Sequence, residues 1–450
     1  MNLTIKEIAN ALKLTEINDE RQVSGMEFDS RNLSSNSLFV PLAGTRDGHE
    51  FIAAAIEKGA IATLWSRPIE EAPENIVVLP VTDVLAAFQE LAKYYLKKVA
   101  PKVVGITGSN GKTTTKDMTE AVLAQKYQTY KTQGNYNNEI GVPYTIVHMP
   151  ADCELLILEM GMDHAGDIEL LSNLAQPDAA AVTIVGEAHI EYLGSRENIA
   201  KAKLEIASGL KPEGLLVVPA NETLVTPLVA EYPQTITTFG IETGDVAAKI
   251  LSQDRTQTTF TVANAEFTIP VLGAYNVTNA LIAYTFGQHF GLSIAEIQKG
   301  LATFELTKNR TEWLKAQNGA DLLSDVYNAN PTAMGLVLDT FAKLTTPGRK
   351  MAVLADMLEL GTVSKEMHAS MAEHLTDEYA IVYLYGQEMT ALFHTLTEKQ
   401  SNLTVIHFEK ANKAALIKML QSELQPTDSL VLKGSNGMGL AEVVKSLQNY

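Results

Sequence analysis

The chain lacks the features that mark secreted, membrane or nucleic-acid-binding proteins. Its 450 residues include one cysteine, Cys153, so no disulfide can form within the chain, as is usual in a reducing compartment. No apolar run approaches the ~20 residues of a membrane-spanning helix, and the N-terminal MNLTIKEIANALKL lacks the apolar core and cleavage site of a signal peptide. Cations are scarce, with 35 Lys and Arg against 53 Asp and Glu and a net charge of −18, which argues against nucleic acid or an anionic membrane as the main partner. We therefore expect a cytoplasmic protein without integral membrane association.

The composition and length are those of a globular protein with several domains. Apolar residues make up 46% of the chain and charged residues 20%. At roughly 150 residues per domain, the length predicts about three domains. The pattern of strands and helices starts again near residues 97–101 and near Arg310. We therefore predict domains over residues 1–98, 99–310 and 311–450.

The second of these domains alternates apolar strands with helices. Continuous apolar runs are typical of strands buried on both faces of a parallel sheet, and they occur at Val103–Thr107, Leu155–Leu158, Ala180–Val185 and Leu215–Pro219. A helix is predicted over Lys112–Gln125. Residues 258–272 contain two alternating segments and predict an antiparallel hairpin at the edge of the sheet. The alternation predicts an α/β domain with a mainly parallel sheet.

The other two domains are predicted to be smaller α/β units. Residues 1–98 hold short strands and helices separated by turn signals. Residues 311–450 hold four apolar strands with helices such as Ala333–Leu344 between them; the strands are Asp321–Val326, Met351–Ala355, Ile381–Tyr385 and Ser429–Leu432.

The most specific motif is GITGSNGKTTTK at residues 105–116, between a predicted strand and a predicted helix. In that setting Gly108 and Gly111 let the backbone approach phosphates, Lys112 neutralises them, and the Thr113 hydroxyl binds Mg²⁺. The motif departs from the common phosphate-loop pattern, whose first glycine would fall at Ile106. The alternative is a glycine-rich turn before a helix. The motif predicts binding of a nucleotide phosphate with Mg²⁺, without specifying the reaction.

Polar residues follow the buried strands at the edge where ligands bind in open α/β sheets. Glu159 ends one strand and suits Mg²⁺, which prefers oxygen ligands. His189 follows the next strand, where a lone histidine is more often structural than a metal ligand. Lys201 and Lys203 lie on a helix predicted over residues 197–210, and neither is selected by the pattern, since helical lysines are ordinarily exposed.

An asparagine-rich loop, TQGNYNNEIGVP, spans residues 132–143. Asn135, Asn137 and Asn138 are typical of a cluster of turns. They are equally typical of a site that donates hydrogen bonds to phosphate or sugar oxygens. The pattern leaves both interpretations open.

Taken in order, the motifs resemble those of the Mur ligases along nearly the whole chain. The motifs are DSR (29–31), FVPLAGTRDGHEF (39–51), TGSNGKTTTK (107–116), TQGNYNNEIGVP (132–143), EMGMDHAGDI (159–168), GEAHIEYLGSRENIAKAKLEI (186–206), LGAYNVTNALIA (272–283), NRTEW (309–313), DVYNANPTAM (325–334) and DMLELG (356–361). The resemblance is strongest to the members that add D-alanyl-D-alanine to a UDP-linked muramoyl tripeptide. It implies a central phosphate-loop ATPase domain with a parallel sheet, a small N-terminal α/β domain that binds UDP, and a C-terminal Rossmann-like α/β domain.

The resemblance also implies roles for individual residues. Residues implied to bind ATP are Thr107, Gly108, Ser109, Asn110, Gly111, Lys112, Thr113, Thr114, Asn276, Asn279, Arg310, Asp325, Tyr327 and Asn328. Two Mg²⁺ ions are implied, with Thr113, Glu159, His189 and Lys203 as ligands, Lys203 as a carbamate formed with CO₂. Lys112, Glu159, His189 and Lys203 form the implied catalytic set.

The implied partners are the UDP-N-acetylmuramoyl-tripeptide and D-alanyl-D-alanine. Residues implied to bind substrate are Ser30, Arg31, Thr45, Arg46, Asp47, Gly48, His49, Asn135, Asn137, Asn138 and Asn330. The implied reaction runs through an acyl phosphate in the synthesis of a peptidoglycan precursor, and a monomer is the default expectation. Three positions differ from the family pattern: Tyr275 replaces a histidine, Ala355 a glycine and Asn436 an arginine.

Two alternatives belong beside this interpretation. One is another enzyme on the same scaffold, such as a folylpolyglutamate synthetase or a Mur ligase that adds a single amino acid. The DSR and TRDGHEF segments disfavour the first, and the YNANP segment disfavours the second. The other alternative is a nucleotide-dependent switch that forms no bond, for which Glu159, His189 and Lys203 together would be unnecessary.

Overall fold

The computed structural model of the chain describes residues 3–307, 310–399 and 403–449. Within them are four β-sheets, the smallest pairing β1 (Leu3–Thr4) with β2 (Gln22–Val23). The three larger sheets follow one another along the chain, which confirms the predicted three-domain α/β fold. The boundaries at 98/99 and 310/311 stay predictions. Asn309, the first residue of the NRTEW motif, lies outside the described residues.

The N-terminal domain is built on a four-stranded parallel sheet. Its strands, in sheet order, are β3 (Met26–Glu27), β4 (Ser37–Phe39), β5 (Ala60–Trp65) and β6 (Val77–Pro80). Its helices are α1 (Ile5–Ala11), α2 (Ile52–Glu57) and α3 (Val84–Val99). Because β3 and β4 are parallel neighbours, the DSR and TRDGH segments that follow them leave the sheet at the same edge.

The central domain contains a nine-stranded sheet with β7, the strand before the phosphate loop, near one side. In chain order the strands are β7 (Lys102–Thr107), β8 (Thr129–Lys131), β9 (Leu155–Glu159), β10 (Ala179–Val182), β11 (Leu215–Pro219), β12 (Thr235–Ile241), β13 (Val246–Gln253), β14 (Thr258–Val262) and β15 (Ala265–Ile269). The sheet order is β15-β14-β13-β12-β11-β10-β7-β9-β8. Along this sheet order, all pairs between β8 and β13 are parallel. The pairs β13–β14 and β14–β15 are antiparallel, so the predicted edge hairpin is present.

Helices cover both faces of this sheet. They are α4 (Lys112–Leu123), α5 (Gly141–His148), α6 (Asp167–Ala175), α7 (Ile190–Leu193), α8 (Arg196–Leu204), α9 (Thr226–Val229), α10 (Ala274–His289) and α11 (Ile294–Thr303). Most of α10 is buried around its circumference, as expected of a helix enclosed by other elements. Gly300 of α11 allows close packing on α4, because a Cβ there would lie 2.5 Å from the Val122 Cα.

Several predicted elements end one or two residues early, and two end well before the residue that the sequence suggested. The strand predicted over Ala180–Val185 ends at Val182, because the next residues turn to bond the phosphate loop. The helix predicted over residues 197–210 ends at Leu204 and is followed by a short 3₁₀ turn. In that turn the Glu205 carboxylate accepts the Gly166 N–H at 2.8 Å, which ties the chain to the start of α6.

The C-terminal domain has a six-stranded sheet. Its strands are β16 (Glu312–Lys315), β17 (Asp321–Asp325), β18 (Lys350–Ala355), β19 (Tyr379–Tyr385), β20 (Thr404–Phe408) and β21 (Ser429–Lys433), in the order β16-β17-β21-β18-β19-β20. Only β16 pairs antiparallel among these described strands. The helices are α12 (Pro331–Ala342), α13 (Ser364–Ser370), α14 (Thr390–Glu398), α15 (Lys413–Glu423) and α16 (Leu440–Gln448). Across the described residues of all three domains, no helix is long and apolar enough to cross a membrane.

Candidate active site

The phosphate loop lies between β7 and α4 and is held from two sides. Gly108 and Gly111 have φ values of 151° and 82°, which favour glycine. A Cβ on Gly108 would lie 1.8 Å from the Thr183 Oγ1, so no larger residue fits. The Ser109 N–H donates to the Ile184 carbonyl at 2.8 Å, and the Lys112 ammonium donates to the Gly108 carbonyl at 2.8 Å. Gly111, Lys112 and Thr113, at the start of α4, line the cleft. The first N–H groups of a helix have no partner within the helix, so this end of α4 can bind an anion.

Glu159 ends β9 beside this loop. Its buried carboxylate accepts hydrogen bonds from the Thr113 hydroxyl at 3.0 Å and from the Asn137 amide at 2.9 Å. Its own N–H donates to the Thr132 hydroxyl at 3.0 Å. These bonds fix the carboxylate at the start of α4, and they bring three of the predicted site residues into direct contact.

His189 has a left-handed backbone, with φ of 63°, at the start of α7. Its Nδ1 lies 2.8 Å from the Glu359 Oε2 and 3.4 Å from the Asp163 Oδ1. The close approach to Glu359 is not aligned for a hydrogen bond, since Nδ1 forms none with the described residues. Burial, with the positive charge of Lys112, lowers the pKa of His189 to about 4. The imidazole is therefore neutral at pH 7, the form in which histidine binds metals.

Lys203 lies inside the domain, with 1% of its surface exposed, whereas Lys201 is exposed. Among the described residues, no hydrogen bond or ion pair to the Lys203 ammonium is present. Burial lowers its pKa well below the usual value, and Lys112 lowers it further. This shift favours the neutral amine of Lys203, which is a nucleophile. The ordinary expectation of an exposed helical lysine was wrong for Lys203.

Two adjoining cavities contain most of the predicted site. A cleft of about 830 Å³ is lined by predicted residues Ser109, Asn110, Gly111, Lys112, Thr113, Asn135, Asn137, Asn138, Glu159, His189, Arg310, Tyr327 and Asn328. A narrower cavity of about 300 Å³ is lined by predicted residues Asn110, Gly111, Thr114, Asn276, Asn279, Arg310 and Asp325. The two cavities share Asn110, Gly111 and Arg310. Four predicted residues of the central site line neither cavity: Thr107, Gly108, Lys203 and Asn330.

Arg310, the last residue of the predicted central domain, and residues of the C-terminal domain reach into the same space. The Arg310 guanidinium lies 4.0 Å from the centre of the Tyr327 ring and donates to the Thr113 hydroxyl at 3.5 Å. Lys433 is buried and pairs with Asp325 at 2.5 Å. The Asn330 amide donates to the Asn110 side chain of the phosphate loop. The C-terminal domain is thus docked on the central domain.

The narrower cavity also has walls that the sequence did not predict. They include Thr183, Asn221, Glu222, Phe239, Gly240, Ile241, Tyr275, Thr332, Ala333, Leu336, Val337 and Lys433. Some follow a recognisable rule, because Asn221 and Glu222 come just after β11 and Phe239 to Ile241 end β12. Their place at the carboxyl ends of parallel strands, where ligands bind, could have identified these residues from the sequence. The α12 residues carried no such signal.

The residues predicted for the uridine end lie at one edge of the N-terminal sheet, away from both cavities. Ser30 and Arg31 follow β3, and Arg31 is exposed and pairs with Asp29 at 2.6 Å. Asp47 accepts the His49 N–H at 3.0 Å and contacts its Nδ1 at 2.7 Å.

The rest of that segment is tightly built around Gly48. A Cβ on Gly48 would lie 2.5 Å from the Leu42 carbonyl oxygen. Arg67 pairs with Asp47 at 2.5 Å, while Thr45 and Arg46 are exposed. Asp47 and His49 therefore maintain the shape of residues 45–49, and the exposed side chains on this surface are Arg31, Thr45 and Arg46.

Comparison with known proteins agrees with this architecture. Residues 106–287 match the Mur ligase middle domain, residues 309–436 the Mur ligase glutamate ligase domain, and residues 22–96 the Mur ligase family catalytic domain. The chain is 40% identical over 452 residues to the UDP-N-acetylmuramoyl-tripeptide–D-alanyl-D-alanine ligase of Bacillus subtilis, covering 99% of this chain and 98% of that one.

Solved structures give the same result. The fold matches a crystal structure of MurF from Acinetobacter baumannii with a TM-score of 0.90 and 27% identity, covering 100% of this chain and 99% of that one. It matches MurF of Thermotoga maritima in complex with ADP with a TM-score of 0.83 and 27% identity, covering 94% and 97%. The phosphate loop, the three-domain fold and the full-length identity lead to one conclusion: this chain belongs to the Mur ligase family.

Proposed function

We propose that the protein is an ATP-dependent ligase that joins D-alanyl-D-alanine to the UDP-N-acetylmuramoyl-tripeptide, giving the pentapeptide precursor of peptidoglycan, ADP and phosphate. The observation that carries the proposal is one cleft that combines a phosphate loop with the buried carboxylate of Glu159. The buried amine of Lys203, which has no partner among the described residues, supports it. The full-length identity to a ligase with these substrates supports the same reaction.

The proposal assigns one task to each domain. Residues 1–98 bind the UDP end, residues 99–310 bind ATP, and residues 311–450 bind the dipeptide and close on the nucleotide. The adenine end enters the narrower cavity, which Asn276 and Asn279 line, and the phosphates extend past Gly111 into the larger cleft. The enzyme acts in the cytoplasm as a monomer.

The chemistry must activate a carboxylate, which does not react with an amine at neutral pH. A carboxylate oxygen of the tripeptide attacks the γ-phosphate of ATP. This step forms an acyl phosphate and releases ADP. The amino group of the dipeptide attacks the acyl carbon, and phosphate leaves with the oxygen that made the attack. Lys112, Arg310 and the start of α4 stabilise the negative charge that gathers on the transferred phosphate. The docked C-terminal domain excludes water, which would otherwise hydrolyse the intermediate.

The side chains around the phosphate loop have the donor chemistry that Mg²⁺ takes. Thr113 supplies a hydroxyl, Glu159 a carboxylate and His189 a neutral imidazole. Among the described residues, no three His, Cys, Asp or Glu side chains are grouped closely enough to hold a metal by themselves. That sparse set suits Mg²⁺, which keeps several waters and shares phosphate oxygens of its nucleotide. Two bound Mg²⁺ ions would neutralise charge between the carboxylate and the phosphates.

Lys203 is the candidate for the carbamate. A neutral amine adds to CO₂, forming a C–N bond and releasing a proton, and the product is an anionic oxygen ligand. The lowered pKa of Lys203, caused by burial, keeps the amine in the reactive form. Among the described residues, no hydrogen bond or ion pair engages the Lys203 amine, so it is available for that reaction.

The test is phosphate release from Mg-ATP with the UDP-muramoyl tripeptide, with and without D-alanyl-D-alanine. The proposal expects release that needs both substrates and a product heavier by one dipeptide. Release supported by a single amino acid in place of the dipeptide, or by a folate in place of the UDP-tripeptide, would overturn it.

A further inference from the structure

The loop between β10 and α7 contacts the phosphate loop on one side and the C-terminal domain on the other. Gly186 donates its N–H to the Ser109 hydroxyl at 2.9 Å, and Thr183 donates its hydroxyl to the Asn110 carbonyl at 2.5 Å. A Cβ on Gly186 would lie 3.3 Å from the Thr332 Cβ, so the backbone here approaches α12 closely. Any movement of this loop is therefore shared by the nucleotide site and the domain interface.

Glu187 in this loop holds the first turn of α12. Its carboxylate accepts the Thr332 N–H at 3.0 Å and the Thr332 hydroxyl at 2.8 Å. The residue is 8% exposed, so these bonds are shielded from water. A carboxylate at a helix N-terminus is favoured both by the unpaired N–H groups and by the helix dipole. Burial and charge make this the strongest kind of hydrogen bond available at the interface.

The same carboxylate is connected to the nucleotide cavity through Arg196. The Arg196 Nε lies 3.6 Å from the Glu187 Oε1, and its Nη2 donates to the Glu222 carboxylate at 3.1 Å. Glu222 and Thr332 both line the narrower cavity. The ionic contacts therefore join opposite walls of that cavity, one from the central domain and one from the C-terminal domain.

We propose that Glu187 is a positioning residue that holds α12 closed over the phosphate loop while the acyl phosphate exists. The inference rests on the proposed reaction, because it concerns the fate of that intermediate. Without the Glu187 contact, the C-terminal domain spends more time open. Water then attacks the acyl phosphate, regenerating the tripeptide carboxylate and releasing phosphate. ATP is consumed and no peptide bond is made.

The test compares phosphate released with pentapeptide formed in the same reaction, using Glu187→Gln and Thr332→Val. Each variant loses part of the contact without a large change in volume. For Glu187→Gln we expect kcat for ligation to fall about tenfold and phosphate released per product to rise from about one to above two. The KM for the UDP-tripeptide should stay within about twofold, since its proposed contacts lie elsewhere.

Matched controls separate this role from a general loss of structure. Glu197→Gln makes the same charge change at an exposed position of α8 and should keep one phosphate per product. Thr332→Ser keeps the N–H and hydroxyl donors to Glu187, so it should keep about one phosphate per product whatever its effect on kcat. A poorly folded variant would lower phosphate and product together and leave their ratio unchanged.

The outcomes also distinguish the two proposals. Suppose that the wild-type enzyme releases phosphate only with the dipeptide, and that Glu187→Gln and Thr332→Val still release one phosphate per pentapeptide. That result would overturn the role of Glu187 and leave the proposed function standing. A wild-type enzyme without dipeptide-dependent turnover would instead overturn the proposed function.

Discussion

Gly111 precedes α4 in a left-handed conformation and lines the nucleotide cavity. Gly111→Ala should therefore lower the stability of the fold and weaken nucleotide binding together. Its φ is 82°, a region that costs a non-glycine residue roughly 1–2 kcal/mol. The new Cβ would also lie 2.6 Å from the Asn279 Oδ1. Real Cβ contacts are longer than this, so Asn279 would have to move.

Asn279 is not free to move without further loss. It is buried, and its amide donates to the Asn276 Oδ1 at 3.3 Å, while Asn276 donates to the Leu272 carbonyl at 2.7 Å. Breaking one such bond costs about 1 kcal/mol. The substitution should therefore lower the free energy of unfolding by roughly 2–3 kcal/mol. Because both asparagines line the nucleotide cavity, the KM for ATP should rise about fivefold or more, the equivalent of ~1 kcal/mol.

Gly194→Ala is the matched control. Gly194 has a φ of 80°, nearly that of Gly111, but a Cβ there would meet nothing within 4 Å. Gly194→Ala should lower the free energy of unfolding by only the backbone cost of roughly 1–2 kcal/mol, and it should leave the KM for ATP unchanged. The assay is urea unfolding of both variants beside the wild type, with initial rates against ATP concentration. Equal losses of stability with an unchanged KM for ATP in both variants would refute the argument from Asn279.

Three further predictions concern the other contacts of the site. Lys112→Ala should abolish turnover, because it removes the cation at the transferred phosphate, and full activity in a phosphate-release assay would remove this loop from the reaction. Lys203→Ala should lose most activity and regain much of it with short-chain carboxylates that replace the carbamate. The control Lys201→Ala should resemble wild type. A Lys203→Ala variant that is fully active without added carboxylate would exclude the carbamate. Glu27→Gln should raise the KM for the UDP-tripeptide severalfold and leave that for ATP unchanged, because the Glu27 carboxylate contacts His148 across the N-terminal interface at 2.9 Å; equal changes in both constants would contradict this.

The phosphate loop and the site residues at strand ends could be predicted from short stretches of sequence. Gly108, Gly111 and Lys112 follow β7 in an order that only a few backbone geometries use, so their location was predictable. Glu159 ends β9 and His189 follows β10, the strands on either side of β7 in the parallel sheet. Because ligands bind at the carboxyl ends of such strands, both residues were predictable as neighbours of the phosphate loop. The edge hairpin at β14 and β15 was predictable from alternation alone.

Lys203 was not predictable from helical periodicity. Lys201 and Lys203 occupy the same short helix, and only the packing of that helix against the sheet decides which of them is buried. The family resemblance selected Lys203, whereas propensity selected neither.

The contacts between domains were also beyond the sequence pattern. Glu187 and Thr332 are separated by 145 residues and meet only because the C-terminal domain docks on the central one. The early end of β10 has a similar origin, since Thr183 and Ile184 leave the sheet to bond the phosphate loop. Such contacts depend on the arrangement of whole domains, which short-range periodicity does not encode.

The most direct test of the account follows an oxygen atom from the tripeptide to phosphate. The UDP-muramoyl tripeptide is labelled with ¹⁸O in its terminal carboxylate and turned over with Mg-ATP and D-alanyl-D-alanine, and the phosphate is examined by ³¹P NMR. If the carboxylate attacks the γ-phosphate in this cleft, each phosphate carries one ¹⁸O from the tripeptide. Unlabelled phosphate accompanying labelled pentapeptide would contradict the acyl-phosphate route and the roles given to Lys112, Arg310 and the start of α4.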